Sequence, residues 1–276
     1  MKIVADNTVP YLKGVAEPIA DVTYLTSNEF TPDRIHDADV LIVRSIDKCT
    51  RELLEGSRVR LITSATIGFD HIDTRYCDEA GITWKNSPGC HAVSVAQYVL
   101  AGLITTALRK GETLQGKTIG IVGVGHVGKE VEKVCTAYGM KVLRNDPPRA
   151  EAEGESGFVP LDTIAAQADI ITFHTPLTKE GRFATRHLAD AAFFGKLRRK
   201  PWFINASRGA VHDTQALLQA RKEGKVGELI IDCWENEPRI DRELLATAAI
   251  ATPHIAGFSA DGKANGTRTC LENIEA

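Results

Sequence analysis

The sequence predicts an α/β protein that contains two doubly wound parallel-sheet domains. Two series of short β-like runs, one before residue 91 and one from residue 118 onward, each alternate with helical segments. Such alternation produces parallel sheets with helices on both faces. A long apolar segment over 92–110, which contains no proline, separates the two series and predicts a single helix. The 276 residues are enough for two ordinary domains.

The first series predicts a sheet whose strand ends carry polar residues. Its β-like runs cover 3–5, 22–25, 40–43, 61–63 and 82–84. Ligands bind beyond the carboxyl ends of strands in sheets of this kind. Ser45 follows the third run and Thr66 the fourth, so both are placed to contact a ligand. Arg44 and Lys48 flank Ser45 and predict local neutralisation of an anion, although a solvated charged loop explains them equally well.

The second series begins with a glycine-rich turn that predicts a dinucleotide site. An apolar run over 119–122 ends in Gly123-x-Gly125-x-x-Gly128, and a helix-like stretch follows. The first glycine permits the tight turn, the second lets the backbone approach a pyrophosphate, and the third packs the helix on the strand. The free N–H groups at the helix start then face the anion. The residues predicted to contact the dinucleotide here are Gly123, Gly125, His126, Val127 and Gly128.

Asp146 is the predicted ribose-binding acid. It follows the strand-like run 141–144 and lies 18 residues beyond Gly128, where such an acid is expected. Its carboxylate would accept hydrogen bonds from the ribose hydroxyls and repel a 2′-phosphate, so NAD is favoured over NADP. Arg144 and Arg149 weaken that preference, and a helix or turn cap is the alternative role of Asp146.

Four more strands are predicted over 170–173, 202–205, 229–232 and 249–251. Polar residues mark the ends of the three longer ones and face one edge of the sheet: His174 follows the first, and Asn205 and Asp232 end the other two. The acidic, glycine-containing stretch 151–157 predicts a surface loop.

Composition excludes several classes of function. A net charge of -3 and a pI of about 6.3 give no basic field for nucleic acid. No run is long or apolar enough to cross a bilayer, so no membrane partner is expected. The six cysteines show no CxxC spacing, which predicts reduced thiols in a cytoplasmic protein and no metal site.

Beyond these local signals, the chain resembles the D-isomer-specific 2-hydroxyacid dehydrogenase family over almost its whole length. The resemblance is carried by GKTIGIVGVGHVGKE, FHTPLT, INASRGAVHD, DCWENEP and TPHIAGFSADGKANGT, in family order and spacing. It implies a Rossmann NAD-binding domain over 92–257, inserted into a flavodoxin-like substrate domain formed by 1–91 and 258–276. It also implies a homodimer, and a C-terminal dimerisation segment that is missing after Ala276.

The resemblance assigns the chemistry to three residues. His254 suits the general base, because an unperturbed histidine titrates near neutral pH, although a satisfied structural histidine is the usual alternative. Glu237 is implied to orient the imidazole and raise its pKa, as the aspartate of a hydrolase triad does. Arg208 can bind a carboxylate through two parallel N–H bonds. The further contacts implied for the cofactor are Thr175, Ala206, Ser207, Arg208, Asp232 and Gly257; those for the substrate are Ser45, Thr66 and Phe258.

The stretches MKIVADNTVPY, SPGCHAVSVAQYV and NDPPRA favour, within the family, a small phosphorylated 2-hydroxy acid as substrate, namely 4-phospho-D-erythronate. Another D-2-hydroxy acid, of the 3-phosphoglycerate or glyoxylate type, is one alternative. A non-catalytic NAD-sensing protein is the other. His91, where the family usually has asparagine, and Phe258, where relatives often carry tyrosine, make the substrate less secure than the reaction class.

Overall fold

The computed structural model describes residues 1–154 and 156–276, and the chain divides into two compact units. The first unit consists of Met1–His91 together with Phe258–Ala276, and the second consists of Ala92–Gly257. Each unit contains its own parallel sheet, so the prediction of two parallel α/β domains is confirmed.

The strands are β1 (Lys2–Asp6), β2 (Asp21–Leu25), β3 (Val40–Val43), β4 (Leu61–Ser64), β5 (Thr83–Lys85), β6 (Thr118–Val122), β7 (Lys141–Asn145), β8 (Ile170–Phe173), β9 (Trp202–Asn205), β10 (Leu229–Ile231) and β11 (Ile250–Ala251). The helices are α1 (Pro32–Ile35), α2 (Arg51–Leu54), α3 (Thr74–Ala80), α4 (Ala92–Lys110), α5 (His126–Ala137), α6 (Pro147–Glu153), α7 (Leu161–Gln167), α8 (Ala191–Gly195), α9 (Thr214–Lys222), α10 (Arg242–Thr247) and α11 (Ala260–Glu275). Short 3-10 segments cover Ser27–Glu29 and Gly209–Val211.

The first unit has the strand order β2-β1-β3-β4-β5, all parallel. This is the flavodoxin-like order, in which the direction of winding reverses beside the first strand. Alternate residues of each strand enter two separate cores, because successive side chains point to opposite faces. Val4 and Leu41 lie in one core, whereas Ile3 and Ile42 lie in the other, which also contains Cys270 of α11.

The second unit has the order β11-β10-β9-β8-β6-β7, again all parallel. Beyond β7, the backbone N–H of Val159 donates to the carbonyl of Arg144 at 2.7 Å, and the Asn145 side chain donates to the Val159 carbonyl at 2.8 Å. This extended segment lies beside β7, on the side away from β6, which is the position of the third strand in a Rossmann sheet. The arrangement is therefore that of a Rossmann sheet.

The surface loop predicted over 151–157 was wrong for residues 151–153, which form the end of α6. Asp146 caps this helix by accepting from the backbone N–H of Arg149 at 3.2 Å, and Pro147 occupies the first helical position. Both residues favour a helix start. Residue 155 lies outside the described residues.

The expectation that no run of the chain is long and apolar enough to cross a bilayer was wrong for helix α4. By length and composition alone its 19 residues, with a mean hydropathy of 1.3, are sufficient to cross a bilayer. In the structure, Val95, Val99 and Leu103 are buried in the core of the second unit, and Gly102 lets the helix approach Ile230 of β10. The apolar character of α4 is therefore that of a helix packed on a sheet.

We expect Gly120→Ala to destabilise the second unit. A Cβ at this position in β6 would lie 2.4 Å from Cγ2 of the buried Ile164, and overpacking of this kind costs about 1–3 kcal/mol. Gly195→Ala, where an added Cβ would meet nothing within 4 Å, is the matched control. Urea unfolding curves should give a lower midpoint for Gly120→Ala than for Gly195→Ala. Equal midpoints would contradict the packing described here.

Candidate active site

The predicted site residues of the second unit all follow the carboxyl ends of parallel strands. Gly123 follows β6, Asp146 follows β7, Thr175 follows β8, and the pair Asp232 and His254 follow β10 and β11. The carboxyl ends of parallel strands meet at one edge of a sheet, where open α/β folds bind their ligands. Ala206, Ser207 and Arg208 follow β9 at the same edge.

The glycine turn has the shape that a pyrophosphate requires. Gly123 has a φ of +88°, and an added Cβ there would lie 2.7 Å from the backbone of His174. A Cβ at Gly128 would lie 2.1 Å from the Gly123 carbonyl oxygen. At Gly125 a Cβ would meet nothing within 4 Å, so this glycine leaves open space at the helix start. Gly125 makes no side-chain cap to α5, and the N–H groups of the first turn remain available for an anion.

A second feature of this edge fits a polar ligand. The hydroxyl oxygen of Thr175 is buried and has no hydrogen-bond partner among the described residues. Buried polar atoms are normally paired, so a ligand that reaches Thr175 would satisfy it. His174 beside it is a core residue, because burial lowers its pKa to about 3 and its Nε2 bonds the Thr172 hydroxyl at 2.9 Å.

Asp146 combines the two roles considered for it. One carboxylate oxygen accepts from the backbone N–H of Arg149, and the other accepts from the N–H of Val124 in the glycine turn at 2.8 Å. The residue therefore ties α6 to the turn and also lies beside it, where a ribose is expected. The Arg149 guanidinium forms two hydrogen bonds with Glu153, of 2.7 and 2.6 Å, which partly neutralises its charge.

His254 and Glu237 form a hydrogen-bonded pair. His254 Nδ1 lies 2.8 Å from Glu237 Oε2, and both side chains remain partly exposed. The bond to Glu237 raises the pKa of His254 against the opposing effect of burial. Burial would raise the pKa of Glu237, but the hydrogen bonds from His254 and from the Trp234 backbone hold it below its ordinary value. The geometry suits a general base oriented by a carboxylate.

Asp232 fixes the loop that carries His254. Its fully buried carboxylate accepts from the Thr252 hydroxyl at 2.6 Å and from the N–H groups of Ile255 and Ala256 at 2.8 and 2.9 Å. Within this loop His254 has a φ of +56°, in the left-handed region that non-glycine residues rarely adopt. The Tyr98 hydroxyl of α4 lies 2.6 Å from the Thr252 hydroxyl and extends the network. The predicted contact of Asp232 with the nicotinamide stays a prediction.

Arg208 lies in a loop held by backbone contacts. The Asn205 side chain donates to the Arg208 carbonyl at 2.9 Å and accepts from the Ser207 N–H at 3.1 Å. A Cβ at Gly209 would lie 1.9 Å from the Trp234 carbonyl, so only glycine fits after the arginine. The positive charge of Arg208 acts on His254, where it lowers the pKa in opposition to Glu237.

Two further histidines of the second unit differ from His254. His212, at a position where small apolar residues are common, is buried, and burial lowers its pKa to about 4; it is a core residue that bonds Asn205 at 2.9 Å. His187 bonds Glu235 at 2.6 Å and so forms a second histidine–carboxylate pair in this unit. Sequence reasoning did not identify this pair or the Tyr98–Thr252 contact, because no local pattern links residues so far apart.

The first unit brings the predicted substrate residues to the ends of β3 and β4. Ser45 and Lys48 are exposed and Arg44 is half-buried in the loop after β3. Arg44 Nη1 donates to the Thr8 hydroxyl at 2.9 Å. The Thr66 hydroxyl is engaged within its own loop, where it donates to the Gly68 carbonyl at 3.0 Å.

His91 and Phe258, two of the departures from the family pattern, both lie beside α11. Nδ1 of His91 would be 2.1 Å from a Cβ at Gly262, so the ring packs directly on the helix start. Burial, followed by the charges of Arg44 and Lys263, lowers the pKa of His91. Phe258 is exposed, and Lys263 Nζ lies 3.3 Å from its ring centroid, a cation–π contact.

A cysteine lies beside the pair formed by His254 and Glu237. The ligand atoms of Cys233, Glu237 and His254 all lie within 4.8 Å of one another, close enough to share a metal ion. Burial raises the pKa of the Cys233 thiol well above its ordinary value, and Sγ donates to the Ser207 carbonyl at 3.3 Å. The thiol therefore keeps its proton, and the absence of a metal site stays a prediction.

Comparison with known proteins gives concordant results. A family model described as D-isomer specific 2-hydroxyacid dehydrogenase, NAD binding domain, matches residues 91–256. A protein of Porphyromonas gingivalis named erythronate-4-phosphate dehydrogenase is 59% identical over 275 residues, which cover 99% of this chain and 74% of the relative.

Among solved structures, NAD⁺-bound 3-phosphoglycerate dehydrogenase of Entamoeba histolytica is 27% identical with a TM-score of 0.83, over 99% of this chain and 94% of that one. D-Lactate dehydrogenase of Aquifex aeolicus, complexed with NAD and lactic acid, is 27% identical with a TM-score of 0.80, over 100% and 95%.

We expect Glu237→Gln to lower the pKa of His254, because the variant removes the carboxylate that raises it. An elevated histidine pKa stabilises the fold at low pH, and this contribution is lost as the pH rises through the folded-state pKa. Imidazole NMR titration measures the shift. Glu235→Gln, which changes the partner of His187 instead, is the control, and an unchanged His254 titration in Glu237→Gln would contradict the assignment.

Proposed function

Because the chain belongs to the D-isomer-specific 2-hydroxyacid dehydrogenase family, we propose that it oxidises 4-phospho-D-erythronate to 3-hydroxy-2-oxo-4-phosphobutanoate. It is an NAD-dependent oxidoreductase, and the finer assignment concerns its substrate. The name of the Porphyromonas gingivalis relative, at 59% identity, supports that substrate. The reaction would serve pyridoxal 5′-phosphate (vitamin B6) biosynthesis.

The observation that carries the proposed chemistry is the 2.8 Å bond between His254 Nδ1 and Glu237 Oε2. Oxidation of a 2-hydroxy acid needs a base for the hydroxyl proton and a cation for the carboxylate. A histidine whose Nδ1 is held by a carboxylate presents Nε2 as the proton acceptor. An imidazole oriented in this way favours a catalytic role for the protein over a purely NAD-sensing one.

In the proposed mechanism, neutral His254 accepts the proton of the C2 hydroxyl at Nε2. Glu237 stabilises the imidazolium that forms, since its own low pKa keeps it ionised. Arg208 binds the substrate carboxylate and stabilises the charge that develops on the C2 oxygen. NAD, held at the glycine turn of the second unit, would supply the acceptor for the hydride from C2.

The NAD contacts are proposed on the fit of the second unit. Gly123, Gly125 and Gly128 shape the turn for the pyrophosphate, with the N–H groups of His126 and Val127 at the helix start. Asp146 would accept from the ribose, and Thr175 would pair its buried hydroxyl with the cofactor. The remaining proposed contacts are Ala206, Ser207, Arg208, Asp232 and Gly257.

The phosphate contacts are proposed for the first unit. Arg44 and Lys48 carry positive charge next to the exposed Ser45, and charge-assisted bonds of this kind are the strong ones for phosphate. Thr66 and Phe258 are proposed as further substrate contacts. Of the alternative substrates, 3-phosphoglycerate carries the same two anionic groups one carbon closer together, and a glyoxylate-type acid lacks the phosphate.

We expect the 276-residue chain to reduce NAD with 4-phospho-D-erythronate more efficiently than with 3-phosphoglycerate or D-lactate, as followed by NADH absorbance. His254→Ala should lower kcat by at least about 100-fold, the usual contribution of a general base, while NADH affinity stays nearly unchanged. Equal loss of turnover and NADH binding would make His254 structural. Tight NADH binding without turnover of any 2-hydroxy acid would favour the NAD-sensing alternative.

We further infer a cytoplasmic homodimer. All six cysteines are buried free thiols, which suits a reducing compartment. Helix α4 exposes the large apolar side chains of Val93 and Leu108 at 56% and 76% of their surface, and we place the interface on this helix. We expect light scattering to give twice the chain mass of 30.0 kDa, and Leu108→Glu to shift it toward the monomer. A monomeric parent chain would reject this inference.

A further inference from the structure

Two buried carboxyl groups of the first unit lack an evident counter-charge. Asp6, the last residue of β1, is 0% exposed, and Asp47, in the loop after β3, is 1% exposed. Oδ2 of Asp6 and Oδ1 of Asp47 are both buried without a hydrogen-bond donor among the described residues. A buried ionised oxygen with no donor is costly, so this arrangement needs an explanation.

The other two oxygens are fully engaged. Asp6 Oδ1 accepts from both the N–H and the hydroxyl of Thr8, each at 2.6 Å. Asp47 Oδ2 accepts from the backbone N–H of Arg44 at 2.7 Å. The two unmatched oxygens are thus what remains for the carboxyl groups to bond each other through a proton, and Asp6 is, after burial, the next cause that raises the pKa of Asp47. Two ionised carboxylates have no proton to donate, so such a bond requires that one of them is protonated.

Both the backbone and the side chain of Arg44 are connected to this pair by hydrogen bonds. Its backbone N–H reaches Asp47, and its guanidinium reaches the Thr8 hydroxyl, which in turn donates to Asp6. The same loop carries the exposed Ser45. The position of the guanidinium therefore depends on the geometry and charge of the two carboxyl groups.

We propose that Asp6 and Asp47 share one proton and that this acid pair positions Arg44 for the phosphate of the substrate. Neither aspartate touches the substrate, so both are positioning residues. The inference rests on the proposed function, in which Arg44 binds phosphate. With one proton the pair carries a single negative charge, and Arg44 keeps N–H groups free to bind an anion. Without it, two adjacent negative charges attract the guanidinium and compete with the phosphate.

The surroundings of the pair support this reading. Burial, and then the hydrogen bond with Asp6, raises the pKa of Asp47 to about 6. Among the described residues that face the pair, the Arg44 backbone and the Ser27 hydroxyl of the 3-10 segment form hydrogen bonds that lower the pKa of Asp47 in opposition, and the Cys49 thiol has its own pKa raised to about 12 by burial and then by Asp47. Arg44 is the cation among these groups, so the proton supplies the compensation that a second cation would otherwise give.

Asp47→Asn tests the proposal, because its amide can donate to Asp6 and accept from Arg44 without a titrating proton. In the parent chain we expect the KM for 4-phospho-D-erythronate to rise about tenfold, relative to the variant, as the pH increases through about 6. kcat should stay within about twofold between the two proteins at each pH. Asp6→Asn is the reciprocal variant if Asp47→Asn does not fold, and the exposed Asp33→Asn is the control.

A second measurement does not depend on turnover. Carboxyl ¹³C NMR should show an aspartate that titrates near pH 6 in the parent and in Asp33→Asn but not in Asp47→Asn. Absence of that signal in the parent overturns the shared proton. Its presence with parallel KM profiles overturns the positioning of Arg44. If the parent fails to turn over 4-phospho-D-erythronate while the signal is present, the proposed function and the phosphate role of Arg44 both fall, but the shared proton stands.

Discussion

The geometry of the pair formed by His254 and Glu237 depends on one buried carboxylate, Asp232. It accepts three hydrogen bonds from the loop after β11, two of them from consecutive backbone N–H groups. These bonds hold His254 in a left-handed conformation that costs an ordinary residue about 1–3 kcal/mol. A loop without this anchor would relax, and the imidazole would turn away from Glu237. The loop is therefore stabilised largely through its backbone N–H groups, and the imidazole of His254 is left to bond Glu237.

The same principle operates throughout the second unit. The residues proposed for chemistry follow the ends of parallel strands, and the groups that fix them are backbone amides or buried polar side chains. Asn205 holds the loop of Arg208, and Gly209 packs on the Trp234 backbone. Side chains that follow strand ends are held by the rigid sheet. The alignment of a base with a carboxylate requires such rigidity.

Both sheets and the residues of the His254–Glu237 pair could be predicted from the sequence, because each is indicated by a pattern within a short stretch of chain. Strand–helix alternation predicted both sheets, and family motifs indicated His254 and Glu237. The third-strand position at Val159 was missed, since a single backbone hydrogen bond leaves no hydrophobic pattern. Helix α6 was not predicted, because the cap at Asp146 stood only as an alternative to ribose binding and the acidic stretch after it favoured a loop. Contacts such as Tyr98 with Thr252, 154 residues apart, have no local signature.

The packing of the three glycines has an evolutionary consequence. Gly123 and Gly128 are required by the protein itself, because a side chain at either would collide with neighbouring backbone. A descendant that had lost its cofactor would still be selected to keep both, simply in order to fold. Gly125 alone faces open space and is maintained only by what occupies that space. Drift at this one position, rather than survival of the whole motif, would therefore record when a lineage abandoned the nucleotide.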